Sequence, residues 1–89
     1  MLDVRQKGLI RGLIYPIQFD ENPVDGVDRV LKLVVGTQAL GAMAEQYARA
    51  IEAALQSDER LALLIPQPHP ESVIRTYLAD VRRSLADYV

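Results

Sequence analysis

The chain has 89 residues, and this length predicts a single domain with a small core, because short chains keep much of their surface in contact with water. It contains no cysteine, which excludes disulfides, thiolate zinc sites and a cysteine nucleophile. Ten lysines and arginines stand against twelve aspartates and glutamates, a formal net charge of −2, so no overall positive charge attracts nucleic acid or an anionic membrane. Its apolar stretches are shorter than the ~20 residues that a membrane-spanning helix needs. We therefore expect a cytoplasmic protein.

The first predicted helix covers residues 3–15. Asp3 can accept hydrogen bonds from the free amide groups at its start, and the apolar residues that follow keep helical spacing until Pro16. Gly8 and Gly12 each weaken this helix by about 1 kcal/mol relative to alanine. An extended connector is predicted next, because Pro16 and Pro23 disfavour helical backbone at the residues that precede them. We expect Ile17 and Phe19 to anchor the connector in the core.

A second helix is predicted from Asn22, since asparagine caps helices well and proline is tolerated at their first position. Its apolar side is formed by Val24, Val27, Val30, Leu31 and Val34. The run at residues 30–35 would also suit a buried strand, with a hairpin to residues 17–19 as the alternative. We prefer the helix, because an isolated strand leaves its backbone groups unpaired.

The third predicted helix covers residues 37–56, which are rich in alanine, glutamate, glutamine and leucine. One face carries Leu40, Met43, Ala44, Tyr47, Ala48, Ile51, Ala54 and Leu55. Gly36 either separates this helix from the preceding one or bends a single long helix, and propensity fits both outcomes. Ser57 is then expected to cap a short helix that Pro66 ends, with Asp58 and Glu59 at its positive end.

The last predicted helix runs from residue 70 to about residue 88. Its buried stripe consists of Ile74, Tyr77, Leu78, Val81, Leu85 and Tyr88. Its polar side carries Arg75, Asp80, Arg82, Arg83 and Asp87. The segment "PQPHP" before it acts as a stiff spacer, although an aromatic groove could also bind its extended conformation. We therefore expect an all-α fold, a small bundle of four to five helices in one domain over residues 1–89, with the last two joined by a proline-rich linker.

His69 is the only histidine, and it stands where the chain enters the last helix. Pro70 suits the first helical position, and Glu71 suits the positive end of the helix dipole. Catalysis by His69 would require a nucleophile or an orienting carboxylate nearby, and no serine lies in a "GxSxG" elbow. Zinc would need ligands from carboxylates alone. We expect no catalytic residue, cofactor or metal, and a hydrolase that uses His69 with a carboxylate is the third hypothesis.

Two charged clusters are candidate partner-binding sites. The acidic cluster consists of Asp20, Glu21, Asp25 and Asp28. A calcium-binding loop that began at Asp20 would place Val24 and Leu31 at positions where oxygen ligands are required, so calcium binding is not expected. We interpret the segment as a loop that starts a helix, and as an acidic edge that could bind a basic surface of a partner. The basic cluster on the last helix consists of Arg75, Arg82 and Arg83.

The glycines suggest a third surface, because Gly8, Gly12, Gly36 and Gly41 interrupt apolar runs and allow close approach between helices. A well-buried central helix explains the same apolar runs equally well. We expect a non-enzymatic protein–protein interaction module that acts by occupying its partner's surface, as an inhibitor, an immunity-type protein or an adaptor does. The expected partner is another protein or a second copy of the chain, most simply in a homodimer. Nucleic acid and membrane are not expected partners. The alternative is a small dimeric DNA-binding transcription regulator, whose binding would depend on salt and on the arginine cluster.

Overall fold

The computed structural model describes residues 2–19, 21–32 and 44–86. Four α-helices lie in these ranges: α1 (Val4–Ile14), α2 (Val27–Leu31), α3 (Ala44–Gln56) and α4 (Glu71–Leu85). Three 3₁₀ turns accompany them, at Tyr15–Ile17, Pro23–Gly26 and Leu61–Leu63. These ranges contain no strand, which confirms the all-α fold, and none of their helices has the length and apolar character needed to cross a bilayer.

Helix α1 begins with a reciprocal pair of hydrogen bonds. The Asp3 carboxylate accepts from the Gln6 amide at 2.7 Å, and the Gln6 side-chain oxygen accepts from the Asp3 amide at 3.2 Å. This arrangement is a capping box, which satisfies two backbone donors at once. The predicted start at Asp3 is confirmed, and the contribution of Gln6 follows from the same D-x-x-Q spacing.

Helix α4 provides the centre of the core. Its predicted stripe is confirmed over five buried residues, Ile74, Tyr77, Leu78, Val81 and Leu85, whereas Tyr88 lies outside the described residues. It packs against α3, α2 and two of the 3₁₀ turns, and α1 packs against α3. Other buried apolar side chains among the described residues include Leu2, Ile10, Leu13, Ile14, Ile17, Val27, Val30, Tyr47, Ala48, Ala50, Ile51, Ala54 and Leu61.

The predicted extended connector is wrong, because the chain continues to turn after α1. Tyr15 has helical backbone angles, φ −52° and ψ −46°, although Pro16 follows it. The 3₁₀ turn places Ile17 in the core with no exposed surface, as predicted, but Phe19 is 91% exposed and does not anchor the connector. Burial of Ile17 outweighs the local preference before proline, since burying such a side chain contributes about 1.5–3 kcal/mol.

The carbonyl groups at the end of α1 are satisfied by side chains from distant parts of the chain. The Tyr77 hydroxyl donates to the Leu13 carbonyl at 2.6 Å, and Arg29 Nη2 donates to the Pro16 carbonyl at 2.8 Å. A helix end leaves its last carbonyls without helical partners, and these donors supply them. They also explain how the turn past Pro16 is stabilised without a local cap.

Helix α2 starts later than predicted. Asn22 begins a 3₁₀ turn instead, in which its carbonyl accepts from the Asp25 amide at 3.1 Å, and α2 follows at Val27. Val27 and Val30 are buried, which confirms part of the predicted apolar side. Since Val30 lies in a helix and Ile17 in a 3₁₀ turn, the alternative hairpin does not form among the described residues.

Helix α3 confirms the second half of the third predicted helix. Tyr47, Ala48, Ile51 and Ala54 are buried on one face, as the spacing predicts. Residues 33–43 lie outside the described residues. The predictions for Val34, for Gly36 and for the first seven residues of the third helix fall in this range.

Ser57 ends a helix rather than starting one, so the predicted capped helix after it is wrong. Both the amide and the hydroxyl of Ser57 donate to the Ala54 carbonyl, at 3.1 and 2.8 Å. Only the 3₁₀ turn Leu61–Leu63 follows. Its first amides bind the Glu71 carboxylate of α4, at 2.9 and 2.8 Å, so a residue ten positions further along the chain caps this turn.

Candidate functional surface

Four large apolar side chains are exposed in the described part of the chain, and two of them lie at the ends of α1. Val4 is 86% exposed, Tyr15 66%, Phe19 91% and Leu63 77%. Val4 begins α1, and Tyr15 is the helical C-cap that follows its last residue. Gly8 and Arg11 stand between them at helical spacing, so Val4, Gly8, Arg11 and Tyr15 form one stripe. We call the stripe Val4, Gly8, Arg11 and Tyr15 the outer face of α1. It is opposite the side that buries Ile10, Leu13 and Ile14.

The turn that carries Leu63 lies beside this outer face. Arg11 Nε donates to the Leu64 carbonyl at 3.2 Å, and Lys7 Nζ lies 3.8 Å from the Glu59 carboxylate. Both contacts join α1 to the segment 59–64. The Arg11 guanidinium is therefore directed toward that segment, and Arg11 and Gly8 together form the middle of the outer face.

Gly8 and Gly12 are not required for packing within the described part of the chain. A Cβ atom added to either glycine would have no atom within 4 Å of it. The backbone of α1 is therefore open to approach from outside at the middle of the helix, although glycine there lowers helix stability by about 1 kcal/mol relative to alanine. Gly36 and Gly41 lie outside the described residues.

The acidic edge lies beyond the C-terminal end of α1. Glu21, Asp25 and Asp28 are exposed, and Asp20 lies outside the described residues. The bond from Arg29 to the Pro16 carbonyl holds this segment at the end of α1. Arg5, in the first turns of α1, is also exposed. Exposed Asp3 lies beside Arg5, and exposed Arg11 lies in the last turn of α1, so each end of the helix has charges of both signs near it.

The three arginines predicted as one partner-binding cluster have different surroundings. Arg82 Nη2 lies 3.6 Å from a Glu52 carboxylate oxygen, which links α4 to α3. Arg83 forms an ion pair with Asp80, one turn earlier on α4. Arg83 is exposed and Arg82 is partly exposed, and surface pairs of this kind contribute between 0 and about 1 kcal/mol each. The carboxylates beside Arg82 and Arg83 reduce the positive charge of this surface.

Arg75 is used inside the chain. Its Nη1 donates to the Leu55 carbonyl at 3.2 Å, and its Nη2 donates to the carbonyls of Ser57 and Glu59 at 3.0 and 2.9 Å. Its Nε donates to the Glu71 carboxylate at 2.9 Å. Arg75 thus binds the free carbonyls at the end of α3, and together with Glu71 it fixes the segment between α3 and α4 to the start of α4.

The Glu71 carboxylate is held in its ionised form. Burial by itself would raise the pKa of Glu71, but the amides of Ala62 and Leu61 and the Arg75 guanidinium donate hydrogen bonds that outweigh it, so the pKa lies below its ordinary value. The predicted contact with the positive end of α4 is therefore only part of its role, since the carboxylate also caps a turn before the proline-rich segment.

This lowered pKa predicts a loss of stability in acid. A carboxyl group whose folded pKa is below its unfolded pKa stabilises the fold fully above the unfolded value, about 4.3 for glutamate, and loses that contribution as the pH falls through the folded value. We expect the free energy of unfolding, measured with urea between neutral pH and pH of about 3, to fall less steeply in Glu71→Gln than in the unmodified chain. Glu52→Gln is the matched control, and an unchanged slope in Glu71→Gln would contradict this role.

His69 holds the proline-rich segment against the end of α1. Its Nε2 lies 3.1 Å from the Ile17 carbonyl, and because a carbonyl can only accept, Nε2 must carry the proton. Gln67 orders the same segment by accepting from the His69 amide at 2.7 Å and donating to the carbonyls of His69 and Ala62. Pro70 takes the N-cap position instead of the first helical position, so α4 begins at Glu71, one residue later than predicted. Among the described residues, no group of three or more histidine, aspartate or glutamate side chains is placed to hold a metal.

The outer face of α1 could have been found partly from the sequence. A helical projection of residues 4–15 places Val4 and Tyr15 opposite Ile10 and Leu13, a signal that the search for a single apolar stripe overlooks. The exposure of Phe19 and Leu63 carries no such signal, because neither belongs to a regular helix. No protein-family model, curated protein or solved structure matches this chain.

Proposed function

We propose that this chain is a non-enzymatic interaction module that binds a partner protein through the outer face of α1, together with Phe19 and Leu63. The observation that carries the proposal is the exposure of these apolar side chains around one helix. Single exposed apolar residues are ordinary, whereas several on one side of a molecule are typical of binding sites. Val4 and Tyr15 share one face, and Arg11 between them binds the Leu64 carbonyl next to Leu63. The module acts by occupying its partner's surface, as an inhibitor or adaptor does.

The chemistry of the surface suits a protein partner. Tyr15 and Phe19 offer large rigid contacts, and aromatic residues are enriched at the centres of protein interfaces. Burying a side chain of this size contributes about 1.5–3 kcal/mol before the costs of association. The exposed acidic residues Glu21, Asp25 and Asp28 add a charged border, which speeds association with a complementary surface.

The two rival functions have less support. A DNA-binding face on α4 would require arginines available to phosphates, whereas Arg75 donates to groups within the chain and Arg82 and Arg83 have carboxylates beside them. A hydrolase would require His69 to activate a nucleophile or water, whereas its Nε2 contacts the Ile17 carbonyl.

A crosslinking experiment in the cells that make the protein tests the proposed function. A photoreactive amino acid replaces Tyr15, and the same amino acid replaces Ala79, an exposed residue of α4, as the matched control. We expect irradiation to produce a discrete protein adduct from position 15 and none from position 79. The adduct should disappear when Val4→Asp is added, because a charge at that end of the outer face cannot be buried without a partner charge.

Equal adduct formation from positions 15 and 79 would show that the outer face of α1 is not a specific binding surface. No adduct from position 15 would also reject the proposal. Circular dichroism of each purified variant verifies that the helical fold is retained, since both positions are solvent-exposed and tolerate a larger side chain.

A further inference from the structure

We infer that residues 57–65, the chain between α3 and the proline-rich segment, open and close as one unit while the helical core stays folded. We call these residues the strap, and we call Glu71 and Arg75 of α4 the latch that closes it. The opening follows from the contacts of the strap with α4 and α1. Its consequence for binding rests on the proposed function, because the strap carries Leu63 beside the outer face of α1.

The strap contributes little to the core. Leu61 is its one fully buried side chain, the other strap residues are partly buried or exposed, and Leu63 is 77% exposed. Its regular structure is limited to the 3₁₀ turn Leu61–Leu63. The helices α1, α3 and α4, by contrast, each bury at least three apolar residues on a continuous face. Segments with few buried apolar contacts open locally at a lower free energy than the helices around them.

The Glu71 carboxylate binds the middle of the strap. Its two oxygens accept from the amides of Leu61 and Ala62 at 2.9 and 2.8 Å. The next two amides, of Leu63 and Leu64, donate to carbonyls inside the strap at 3.1 and 3.2 Å. A single 3₁₀ turn without support from elsewhere is not stable in water, so release from Glu71 exposes all four amides.

The Arg75 guanidinium binds the first half of the strap. Its Nη2 donates to the carbonyls of Ser57 and Glu59 at 3.0 and 2.9 Å, and its Nε donates to the Glu71 carboxylate at 2.9 Å. Arg75 and Glu71 are one helical turn apart on α4. The two side chains bind adjacent parts of the strap while they bind each other, so their contacts form and break together.

The contacts between the strap and α1 are weaker than the latch. Arg11, an exposed residue, donates to the Leu64 carbonyl at 3.2 Å, and Lys7 Nζ lies 3.8 Å from the Glu59 carboxylate. Water can replace both contacts, since charged groups at a surface gain little from pairing. Opening therefore moves Leu63 away from the outer face of α1, and a partner that contacts Leu63 together with that face binds the closed form.

Native-state hydrogen exchange of the purified full chain, followed residue by residue with NMR, tests the inference. The conditions are chosen so that exchange rates report the opening equilibrium, and each rate is corrected for its intrinsic value. We expect the amides of residues 61–64 to exchange at least about tenfold faster than those of Leu78 and Val81 in α4. Equal rates in the strap and in α4 would overturn the inference.

Tyr77→Phe is the decisive variant, because the bond from Tyr77 to the Leu13 carbonyl joins α4 to α1 in both the open and the closed form. Removing the hydroxyl destabilises both forms equally relative to the unfolded chain. We therefore expect the α4 amides to exchange about fivefold faster and the strap amides to keep their rates. If the strap amides accelerate by the same factor, the strap opens only when the whole chain unfolds, and the inference is rejected.

Glu71→Gln tests the latch directly. It destabilises the closed form, so we expect the amides of Leu63 and Leu64, which do not bind Glu71, to exchange at least about tenfold faster, as should the two amides that do bind it. Acceleration confined to the two bound amides would show that the strap is not one unit. Glu52→Gln removes a more exposed carboxylate that faces α4, and it should leave the strap rates unchanged.

The exchange measurements require no partner, so their outcome is separate from that of crosslinking at position 15. A strap that opens independently, without an adduct from position 15, would support the inference and reject the proposed function. An adduct from position 15, with strap amides that exchange only together with the core, would support the binding surface and reject the inference.

Discussion

Replacing Tyr77 with alanine should remove a large part of the stability of this protein. Tyr77 has no exposed surface, and it joins α4 to α1 through the bond from its hydroxyl to the Leu13 carbonyl. Truncating a buried aromatic residue costs about 3–5 kcal/mol, from lost burial and from the cavity that remains. Because a chain of this length has little stability to spare, we expect Tyr77→Ala to be largely unfolded in a urea titration near room temperature.

Tyr77→Phe separates the two contributions. Phenylalanine keeps the ring in the core but removes the donor to the Leu13 carbonyl, so we expect a loss of about 1 kcal/mol. If phenylalanine were as damaging as alanine, the hydrogen bond and not the packing would dominate. If alanine were as mild as phenylalanine, the central position of Tyr77 in the core would be wrong.

Replacing Glu71 with alanine should have the second-largest effect. The change leaves the amides of Leu61 and Ala62 without their acceptor and removes the carboxylate beside Arg75. Hydrogen bonds to charged groups contribute about 1.5–3 kcal/mol, and unpaired partly buried groups add a cost, so we expect a loss of about 2–3 kcal/mol. For a domain of this size, this is a fall in melting temperature of roughly 10–20 °C, measurable by circular dichroism.

Glu52→Ala is the matched control for Glu71→Ala. Glu52 is also paired with an arginine of α4, but 57% of its side chain is exposed, against 20% for Glu71. Exposed ion pairs contribute little, so Glu52→Ala should change the melting temperature by only a few degrees. Equal losses in the two variants would show that Glu71 acts as an ordinary surface charge and not as a cap.

The helices could be predicted wherever the decisive interactions are local. Helix α1 follows from Asp3 and the apolar spacing after it, and α4 follows from a stripe that begins at Ile74 and ends at Leu85. In both cases residues three and four apart determine which side is buried, and that spacing is visible in the sequence. The described half of the third helix follows for the same reason.

The predictions fail where a distant side chain decides the local structure. Ser57 looks like a helix cap, but its hydroxyl donates to the Ala54 carbonyl, and Glu71 binds the amides of the next turn. Phe19 is large and apolar, as a residue that anchors a connector in the core would be, but Ile17 is the residue that is buried and Phe19 is exposed to solvent. Local propensity cannot distinguish these outcomes, because the competing contacts come from residues far along the chain.

The residues proposed for partner binding also differ in how far the sequence could describe their surroundings. The sequence identified Gly8 and the acidic residues Asp25 and Asp28 as surface candidates, from glycine within an apolar run and from charge clustering. It assigned Arg75 to a partner, whereas the folded chain uses the guanidinium of Arg75 to bind the end of α3.

The sequence by itself determined the all-α class, the start of α1 and the buried stripe of α4, since each depends on side chains a few residues apart. The tertiary structure decided how the helix ends are capped, because Tyr77, Arg29, Glu71 and Arg75 reach carbonyls and amides that only folding brings near them. It also decided which apolar residues remain outside. A small core has room for Ile17 but not for Phe19, and packing in three dimensions makes that choice.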